Sequence, residues 1–254
     1  MKIRHFILPA LFCLLTASSA AAQDGVRLTL RPQAIGIGTF YNGTTVTATG
    51  RVPADSEAVV RFIGAPSEIH MKQVGKVGGV IWMNQGSVTF EKAPSVCIVS
   101  SAVDLKHLEA RADAVDDLSL AGLKSSILID AQGSRDNGIF AEFVKLKKKE
   151  GLYREISGNI SYAKASNGFK TFRALIPLPS RLKPGVYTVD VSAVRNGQIV
   201  ARGEGTLDAK LDGLPAFMAP LAFHHSFLYG IFASLIALLA GLGIGIVFQS
   251  KGAH

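Results

Sequence analysis

The chain has 254 residues, a formal net charge of +8 at pH 7 and two cysteines. A basic excess of this modest size suits anionic lipid headgroups or an anionic ligand. Cys13 lies in a segment that we expect to be removed, so the sequence excludes a disulfide within the mature chain. The apolar and β-branched neighbours of Cys97 predict a buried structural thiol rather than a reactive one.

The N-terminus has the pattern of a secretory signal peptide. A basic segment (residues 2–5) precedes an apolar run (residues 6–15), and three alanines (residues 20–22) provide the small side chains needed for cleavage before Gln23. Removal of residues 1–22 takes away two basic residues and no acidic one, which lowers the net charge to +6. An exported chain is not expected to meet nucleic acid.

The segment from Val26 to about Ser101 has the pattern of short β-strands separated by turns. Polar and apolar residues alternate after Asn42-Gly43, which predicts a turn followed by a strand with Thr45, Thr47 and Thr49 on its outer face. The triplet that begins at Asn42 also matches a glycosylation acceptor. The strand interpretation is favoured, because nothing else in the chain indicates a eukaryotic compartment.

Residues 102–155 differ in composition, and apolar residues at helical spacing predict two helices there. The chain then returns to strands and closes with a hairpin whose turn is at residues 195–198. We therefore predict a mainly β fold, an immunoglobulin-like β-sandwich built from residues 26–101 and 156–211 with a helical insertion at about 102–155. Two small separate domains are the alternative.

The C-terminal region contains one apolar segment of membrane-spanning length. Residues 227–248 carry no charge and slightly exceed the ~20 residues that cross hydrocarbon, which predicts a single transmembrane helix. The signal peptide and Lys251 predict an inner-membrane protein with residues 23–212 in the periplasm, a juxtamembrane segment at 213–226 and a cytoplasmic tail at 249–254. A GPI-type anchor is the competing interpretation, but apolar residues occupy 214–223, where that signal needs a polar spacer.

Small residues recur at every fourth position of the predicted transmembrane helix. Ala233, Ala237, Gly241 and Gly245 stack along one face, and the two glycines form a G-x-x-x-G pair. In lipid, helices associate where small residues let their backbones approach, so this face predicts packing against a second copy or a multi-spanning partner. The alternative is that alanine and glycine are simply common in membrane helices.

Two further groups of side chains are candidates for surface contacts. The second predicted helix ends in a basic cluster formed by Lys145, Lys147, Lys148 and Lys149. The cluster predicts either a solvated helix end, where cations are favourable, or contacts with an anionic surface. His224 and His225 lie just outside the predicted span, which predicts an interfacial belt, with a metal or proton role as the alternative.

Patterns of catalytic and metal sites are missing from the sequence. It contains no G-x-S-x-G, no H-E-x-x-H, no C-x-x-C and no phosphate loop. The remaining candidate metal ligands are too scattered or wrongly spaced to form a metal site, so we interpret them as core packing or solvated surface. They are His70, Met71, Met83, His107, Asp113, Asp116 and Asp117. We therefore predict a protein that is not an enzyme, with no catalytic residue, no metal and no cofactor.

Several stretches together resemble a family of single-pass transmembrane proteins of unknown function described from alphaproteobacteria: "IGTFYNGTTVTATGRVPADSEAVVRFIG", "KVGGVIWMNQGSVTFEKAPS", "LKPGVYTVDV" and the closing helix. The resemblance implies the layout of the chain and no catalytic residue. It also implies an accessory role beside a membrane transporter of the sulfite-exporter type. A periplasmic ligand-binding receptor or chaperone-like module remains the alternative function.

Overall fold

Alternating side chains produce β3 (Thr44–Pro53), the central strand of the fold. Val46 and Ala48 are fully buried, whereas Thr45 is exposed and Thr47 and Thr49 are half-buried on the opposite face. The predicted strand and its outer threonine face are therefore confirmed, whereas the turn closes at residues 38–41 and not at Asn42-Gly43. The computed structural model describes residues 26–77, 80–105, 117–131 and 138–249.

The described residues form a mainly β structure with a helical C-terminus. Before β3, the chain forms β1 (Leu28–Arg31) and β2 (Ala34–Ile37). After β3 come β4 (Glu57–Ile63), β5 (Pro66–Val77), β6 (Ile81–Pro94), β7 (Cys97–Ser101), α1 (Leu123–Ser126), β8 (Leu128–Ala131) and α2 (Ile139–Lys149). The last elements are β9 (Tyr153–Ser157), β10 (Ile160–Tyr162), β11 (Phe169–Leu178), β12 (Gly185–Arg195), β13 (Gln198–Leu211), α3 (Leu214–His224) and α4 (Ser226–Gln249).

Three sheets organise these strands. A four-stranded antiparallel sheet has the order β1-β3-β11-β10, and a six-stranded sheet has the order β2-β13-β12-β4-β7-β9. The six-stranded sheet is antiparallel in its middle, and its outer pairs β2–β13 and β7–β9 are parallel. The third sheet contains β5, β6 and β8.

The main core lies between the four-stranded and six-stranded sheets. Val46 and Phe172 point into it from the first sheet, and Val60, Ile98 and Val189 point into it from the second. All five side chains are 0–1% exposed. Burial of each large apolar side chain contributes about 1.5–3 kcal/mol, so this contact between the two sheets dominates the stability of the domain.

A second core covers the outer face of the six-stranded sheet, which explains the continuous apolar runs in β4 and β7. Val59 and Val99 point into this core, whereas their neighbours Val60 and Ile98 point into the main one. Phe143 of α2 fills the second core and stacks on Phe90 of β6, with ring centroids 4.2 Å apart. Strands buried on both faces read as apolar runs instead of alternating ones.

The structure differs from the sequence prediction in the region of the helical insertion. Residues 102–155 contain the helices α1 and α2, but also β8 and the first residues of β9. In addition, β5 and β6 leave the packed pair of sheets and join β8 in the third sheet. The predicted first helix of the insertion lies largely in 106–116, outside the described residues. Local alternation defines a strand but not the sheet that it joins.

Candidate functional site

The candidate metal ligands of the sequence are His70, Met71, Met83 and a group of acidic residues with His107. Within them, no group of three or more His, Cys, Asp and Glu side chains could hold a metal ion. His70 lies on the exposed side of β5, 3.1 Å from the hydroxyl of Thr89 and 3.4 Å from a carboxylate oxygen of Glu68. Met71 packs partly against the second core, and Met83 is half exposed.

Three of the acidic and histidine candidates cannot be placed. His107, Asp113 and Asp116 lie outside the described residues. Asp117 is described, and its backbone carbonyl accepts a hydrogen bond of 2.9 Å from the guanidinium of Arg61. Arg61 also binds the carboxylate of Asp190 at 2.6 Å, so this part of the surface is tied together by structural contacts.

Cys97 is buried, as the sequence predicted. Its side chain is 1% exposed in the second core. Burial raises the pKa of the thiol from 9.0 to about 12, because the surrounding apolar groups disfavour the thiolate. Tyr153 lies beside it with its hydroxyl donating to the carbonyl of Pro94 at 2.8 Å, and burial raises the pKa of this phenol as well. These groups are structural.

A different region connects the folded strands to the apolar helices. Strand β13 ends at Leu211, which is paired with Ile37 of β2. The next amide, of Asp212, donates a hydrogen bond of 3.1 Å to the carbonyl of Ile37. Gly213 then turns the chain with a φ of +61°, and α3 begins at Leu214. The strand therefore passes into the helix with no flexible linker.

A tight turn projects an aromatic residue at the same place. The amide of Tyr41 donates to the carbonyl of Gly38 at 3.1 Å, which closes a turn with Phe40 near its tip. Phe40 is 96% exposed, although it is among the largest apolar side chains in the chain. Gly43, with a φ of +89°, then places the backbone against the carbonyl of Leu178. Only glycine accepts this conformation at low cost.

Two exposed cations lie on the loop between β11 and β12, whose first residues, Pro179 and Ser180, approach Gly43. Arg181 and Lys183 are exposed, whereas Leu182 between them is buried in the main core. The hydroxyl of Tyr187 donates to the carbonyl of Lys183 at 2.6 Å, which fixes the loop. We call residues 38–43, 179–185 and 210–213 the anchor end of the domain, because all three segments lie where the chain leaves for α3.

The helices that follow the anchor end are apolar on all sides. α3 has no buried residue, and its Phe217 and Phe223 are both more than half exposed. A groove of about 560 Å³ separates α3 from Pro184, Gly185 and the end of β13. Phe217 also meets Phe232 of α4 edge to face, with ring centroids 6.3 Å apart. α3 is therefore held between the domain and α4.

α4 contains the candidate membrane span. Residues 226–246 have a mean hydropathy of 2.2, and none of this stretch is buried within the structure. All four residues of the predicted small-residue face, Ala233, Ala237, Gly241 and Gly245, lie in this span and are exposed. A side chain added at Gly241 or Gly245 would meet no other atom within 4 Å. Nothing in the described part of the chain covers this face.

The two histidines lie at the junction of the apolar helices. His224 is the last residue of α3, and His225 separates α3 from α4. The amide of His225 donates to the carbonyl of Leu221 at 3.1 Å, and its own carbonyl accepts from the amide of Tyr229 at 3.0 Å. The junction is thus fixed by backbone bonds, with both rings exposed.

The four candidate lysines of α2 have unequal environments. Lys147 is 8% exposed, and its ammonium pairs with Glu150 at 2.9 Å. Lys145 and Lys148 pair with acidic side chains at 3.3–3.4 Å and remain largely accessible. Lys149 is exposed and has no ion pair within the described residues. Lys147 therefore cannot contact an external surface as the sequence proposed, because its side chain packs beside Phe143.

The basic end of α2 lies at the same end of the six-stranded sheet as the anchor end. The amide of Leu152 donates to the carbonyl of Lys147, and the amide of Cys97 donates to the carbonyl of Leu152, each at 3.0 Å. Cys97 pairs with Ile63, which pairs with Thr188 near the start of β12. The lysines of α2 and the anchor end therefore lie at the same end of the strands. They are separated sideways, because they belong to different strands of the sheet.

Sequence reasoning did not single out Phe40 or the cations on the β11–β12 loop. The position of Phe40 between Gly38 and Gly43 could have predicted an exposed aromatic side chain, because turns lie on the surface. The approach of the β11–β12 loop to Gly43 depends on how distant segments meet, which no local pattern contains.

The comparisons with known proteins agree with this layout. The alphaproteobacterial family described as "Putative transmembrane protein" (Alph_Pro_TM) matches residues 26–250. This match extends from the first described strand through the candidate span. No curated protein matches the sequence. The chain belongs to this family of membrane proteins.

Proposed function

We propose that this family member is a non-catalytic accessory protein, held by α4 at the periplasmic face of the bacterial inner membrane. Its task is to assist a multi-spanning membrane partner, such as a transporter of the sulfite-exporter type. The direct passage from β13 into α3 carries the proposal. Since the amide of Asp212 still bonds to Ile37 of β2 and α3 begins two residues later, the folded body is held close to the bilayer, where a membrane partner is within reach.

The small-residue face of α4 supports an interaction role over a ligand-binding one. This face is uncovered and offers a contact inside the membrane, where close backbone approach stabilises helix pairs. A protein whose span is only a tether does not need such a face.

We further propose that the two packed sheets are a variant of the immunoglobulin-like sandwich. The main core lies between two largely antiparallel sheets, as that architecture requires. The parallel edge pairs β2–β13 and β7–β9 and the added third sheet are departures from it. In this proposal residues 23–212 are one exported domain rather than two.

The orientation is tested with reporter fusions in a Gram-negative host. A reporter active only in the periplasm, fused after Lys210, is expected to be active, and the same reporter fused after His254 is expected to be inactive. Removal of residues 1–22 should silence the first fusion, because the export signal is lost. Activity of the second fusion alone would contradict the proposal.

Partner recognition is tested by affinity capture of the intact protein in mild detergent, followed by mass spectrometry. The control replaces residues 226–249 by a polyleucine span of equal length, which keeps the anchor but removes the small-residue face. We expect a multi-spanning transporter to be recovered with the native span and to be depleted with the polyleucine span. Equal recovery would reject a role of α4 in recognition.

A ligand-binding receptor is the second candidate, supported by one groove. It measures about 500 Å³ and lies between α2 and the β5–β6 hairpin, with Met71, Phe90 and Ile139 among its apolar lining residues. Lys72 and Glu142 are its charged lining residues. Ligand sites usually combine such an apolar lining with convergent polar groups, so a small amphipathic molecule is the ligand class that fits. Metabolite extraction from the purified protein tests this candidate.

A further inference from the structure

We propose that the anchor end of the domain rests on the anionic lipid surface of the membrane that holds α4. In this arrangement Phe40 inserts among the headgroups, and Arg181 and Lys183 bind lipid phosphates. The inference rests on the membrane anchoring of the proposed function, and it adds a lipid-binding surface on the folded body itself.

The position of Phe40 follows from the contacts around Asp212. The amide of Asp212 donates a hydrogen bond to the carbonyl of Ile37. Phe40 lies three residues after Ile37, in the turn that the hydrogen bond between Tyr41 and Gly38 closes. Since α3 begins two residues after Asp212, the turn lies at the point where the chain leaves for the membrane. In this arrangement the apolar helix α3 lies in the headgroup region, and the turn beside its first residue lies there with it.

The exposure of Phe40 leaves its ring free to enter an apolar environment outside the chain. At 96% exposure its ring contacts almost nothing in the domain, although the neighbouring Tyr41 packs against the main core. Aromatic side chains are enriched at the boundary between hydrocarbon and water, and interfacial groups there bury about 5–10 Å into the headgroup region. A single aromatic at a turn tip can reach that depth without disturbing the fold.

Charge around the turn favours anionic lipid as the occupant. Arg181 and Lys183 are exposed and form no ion pair within the described residues. Lys210 lies nearby, but its ammonium pairs with Asp208 at 2.8 Å, which raises the pKa of Lys210. The unpaired cations are therefore those on the loop that contacts Gly43. Each cation near an anionic leaflet strengthens binding about fivefold.

A lipid surface explains the combination of Phe40, the two cations and the apolar helix α3 better than a protein partner does. The apolar surface of α3 is continuous with the span, so the bilayer that receives α4 also covers α3 and meets Phe40. The domain then stands with β12 rising from the membrane. The 11 residues of β12 place the far turn, at Gln198, about 33 Å from the anchor end. Because the anchor end and the turn at Gln198 lie at such different distances from the membrane, probes at the two positions can test the inference.

The experiment uses the full chain in nanodiscs made of phosphatidylcholine and phosphatidylglycerol with brominated acyl chains. All proteins carry Trp82→Phe, which removes the only native tryptophan. Phe40→Trp is the probe, and Gln198→Trp at the exposed far turn is its matched control. Leu239→Trp in the middle of the span reports whether α4 is embedded.

We expect bromolipid to quench Phe40→Trp emission at least twofold more than Gln198→Trp emission, with a blue-shifted maximum. Equal quenching of the two, while Leu239→Trp is strongly quenched, would overturn the inference and leave the anchoring intact. Absence of quenching at Leu239→Trp would contradict the anchoring itself. A blue-shifted Phe40→Trp without quenching would indicate a protein contact, and would also overturn the inference.

The cations are tested in the same nanodiscs. Arg181→Gln with Lys183→Gln should lower the quenching of Phe40→Trp in discs containing phosphatidylglycerol and leave it unchanged in pure phosphatidylcholine. The matched control is Arg51→Gln with Lys164→Gln, an exposed arginine and lysine at the far end of the four-stranded sheet. An equal loss of quenching in both double variants would overturn the role of Arg181 and Lys183.

Discussion

Lys147 and Glu150 form an ion pair of 2.9 Å on the inner side of α2, with the lysine ammonium 5.9 Å from the centre of the Phe143 ring. The pair separates the basic cluster into one structural lysine and three accessible ones. A lysine buried in this way contributes through its aliphatic stem and its partner, and its removal leaves the carboxylate of Glu150 without a counter-charge.

Lys147→Ala should therefore lower the free energy of unfolding by about 1–2 kcal/mol. Lys145→Ala is the matched control on the same helix, since its side chain is 77% exposed and its pair with Glu142 is solvated. We expect the control to change stability by less than about 0.5 kcal/mol. Urea unfolding of the full chain in detergent, followed by near-ultraviolet circular dichroism, measures both. Equal effects would contradict a structural role of Lys147.

The accessible lysines give a prediction about the anionic surface. Lys148 is paired only with the half-exposed Glu155, and exposed pairs of this kind are weak enough to exchange for lipid phosphate. Lys148 and Lys149 should react more slowly with a water-soluble amine-acylating reagent in anionic nanodiscs than in pure phosphatidylcholine nanodiscs, whereas Lys164 should react equally in both. The protection should disappear at high salt, because ions screen exposed charges beyond about 10 Å at 0.1 M. Mass spectrometry reads each lysine separately, and equal rates would reject the contact.

Gly43 gives a prediction about the turn that carries Phe40. Its φ of +89° disfavours any side chain, and an added Cβ would lie 2.7 Å from the carbonyl oxygen of Leu178. Gly168 has a similar φ of +77° but open space around it, so Gly168→Ala isolates the backbone cost. We expect Gly168→Ala to lower the free energy of unfolding by about 1–2 kcal/mol, and Gly43→Ala to lower it by at least about 1 kcal/mol more. Comparable losses in urea unfolding would show that the contact with Leu178 relaxes freely.

The parts of the fold that could be predicted from the sequence are those with a local period. The alternation around Val46 predicted β3 and its buried face, and the uncharged run after Ser226 predicted the candidate span. Cys97 was also predicted to be buried, because its neighbours in β7 are apolar. In each case the residues that determine the structure lie within a few positions of one another.

The remaining features depend on contacts between distant segments. The β5–β6 hairpin has the same local pattern whichever sheet it joins, and its pairing with β8 at Phe90 and Ile129 is a long-range event. Lys147 falls on the buried side of α2 only because the second core contains Phe90 and Tyr153. The approach of the β11–β12 loop to Gly43 likewise requires β3 to pair with β11, Thr44 with Leu178, which are distant in sequence.

Burial of Cys97 predicts how stability depends on pH. Its thiol has a pKa of about 12 in the folded chain against 9.0 when exposed, so the unfolded state loses its proton first as pH rises. Stability should therefore be unaffected by this group below pH 9 and fall above it, by at most about 1.4 kcal/mol per pH unit. Cys97→Ala removes the contribution of the thiol to the pH dependence, while the contribution of every tyrosine stays. Between pH 9 and 10.5, the variant should lose less stability than the native chain, and parallel curves would refute the assignment.

The small-residue face of α4 gives the last prediction. At 3.6 residues per turn, Gly241 and Gly245 lie on nearly the same side, whereas Gly243 is about 200° from Gly241. All three have open space where a side chain would begin. Gly241→Ile and Gly243→Ile therefore add the same volume and hydrophobicity on opposite sides, so membrane insertion should be equal. Helices in lipid associate through close backbone approach, which isoleucine prevents only on the side that forms the contact.

We expect Gly241→Ile to weaken helix association about tenfold, equivalent to about 1.4 kcal/mol, and Gly243→Ile to leave it unchanged. The double change of Gly241 and Gly245 to isoleucine should abolish it. A membrane two-hybrid assay measures self-association, and co-purification with a multi-spanning protein measures association with a partner. Loss of only the second signal would assign the face to the partner, and loss of only the first would assign it to a second copy. If neither signal changes in the double variant while insertion is intact, the helix serves only as a tether, since a packing surface cannot accept two isoleucines without losing contact.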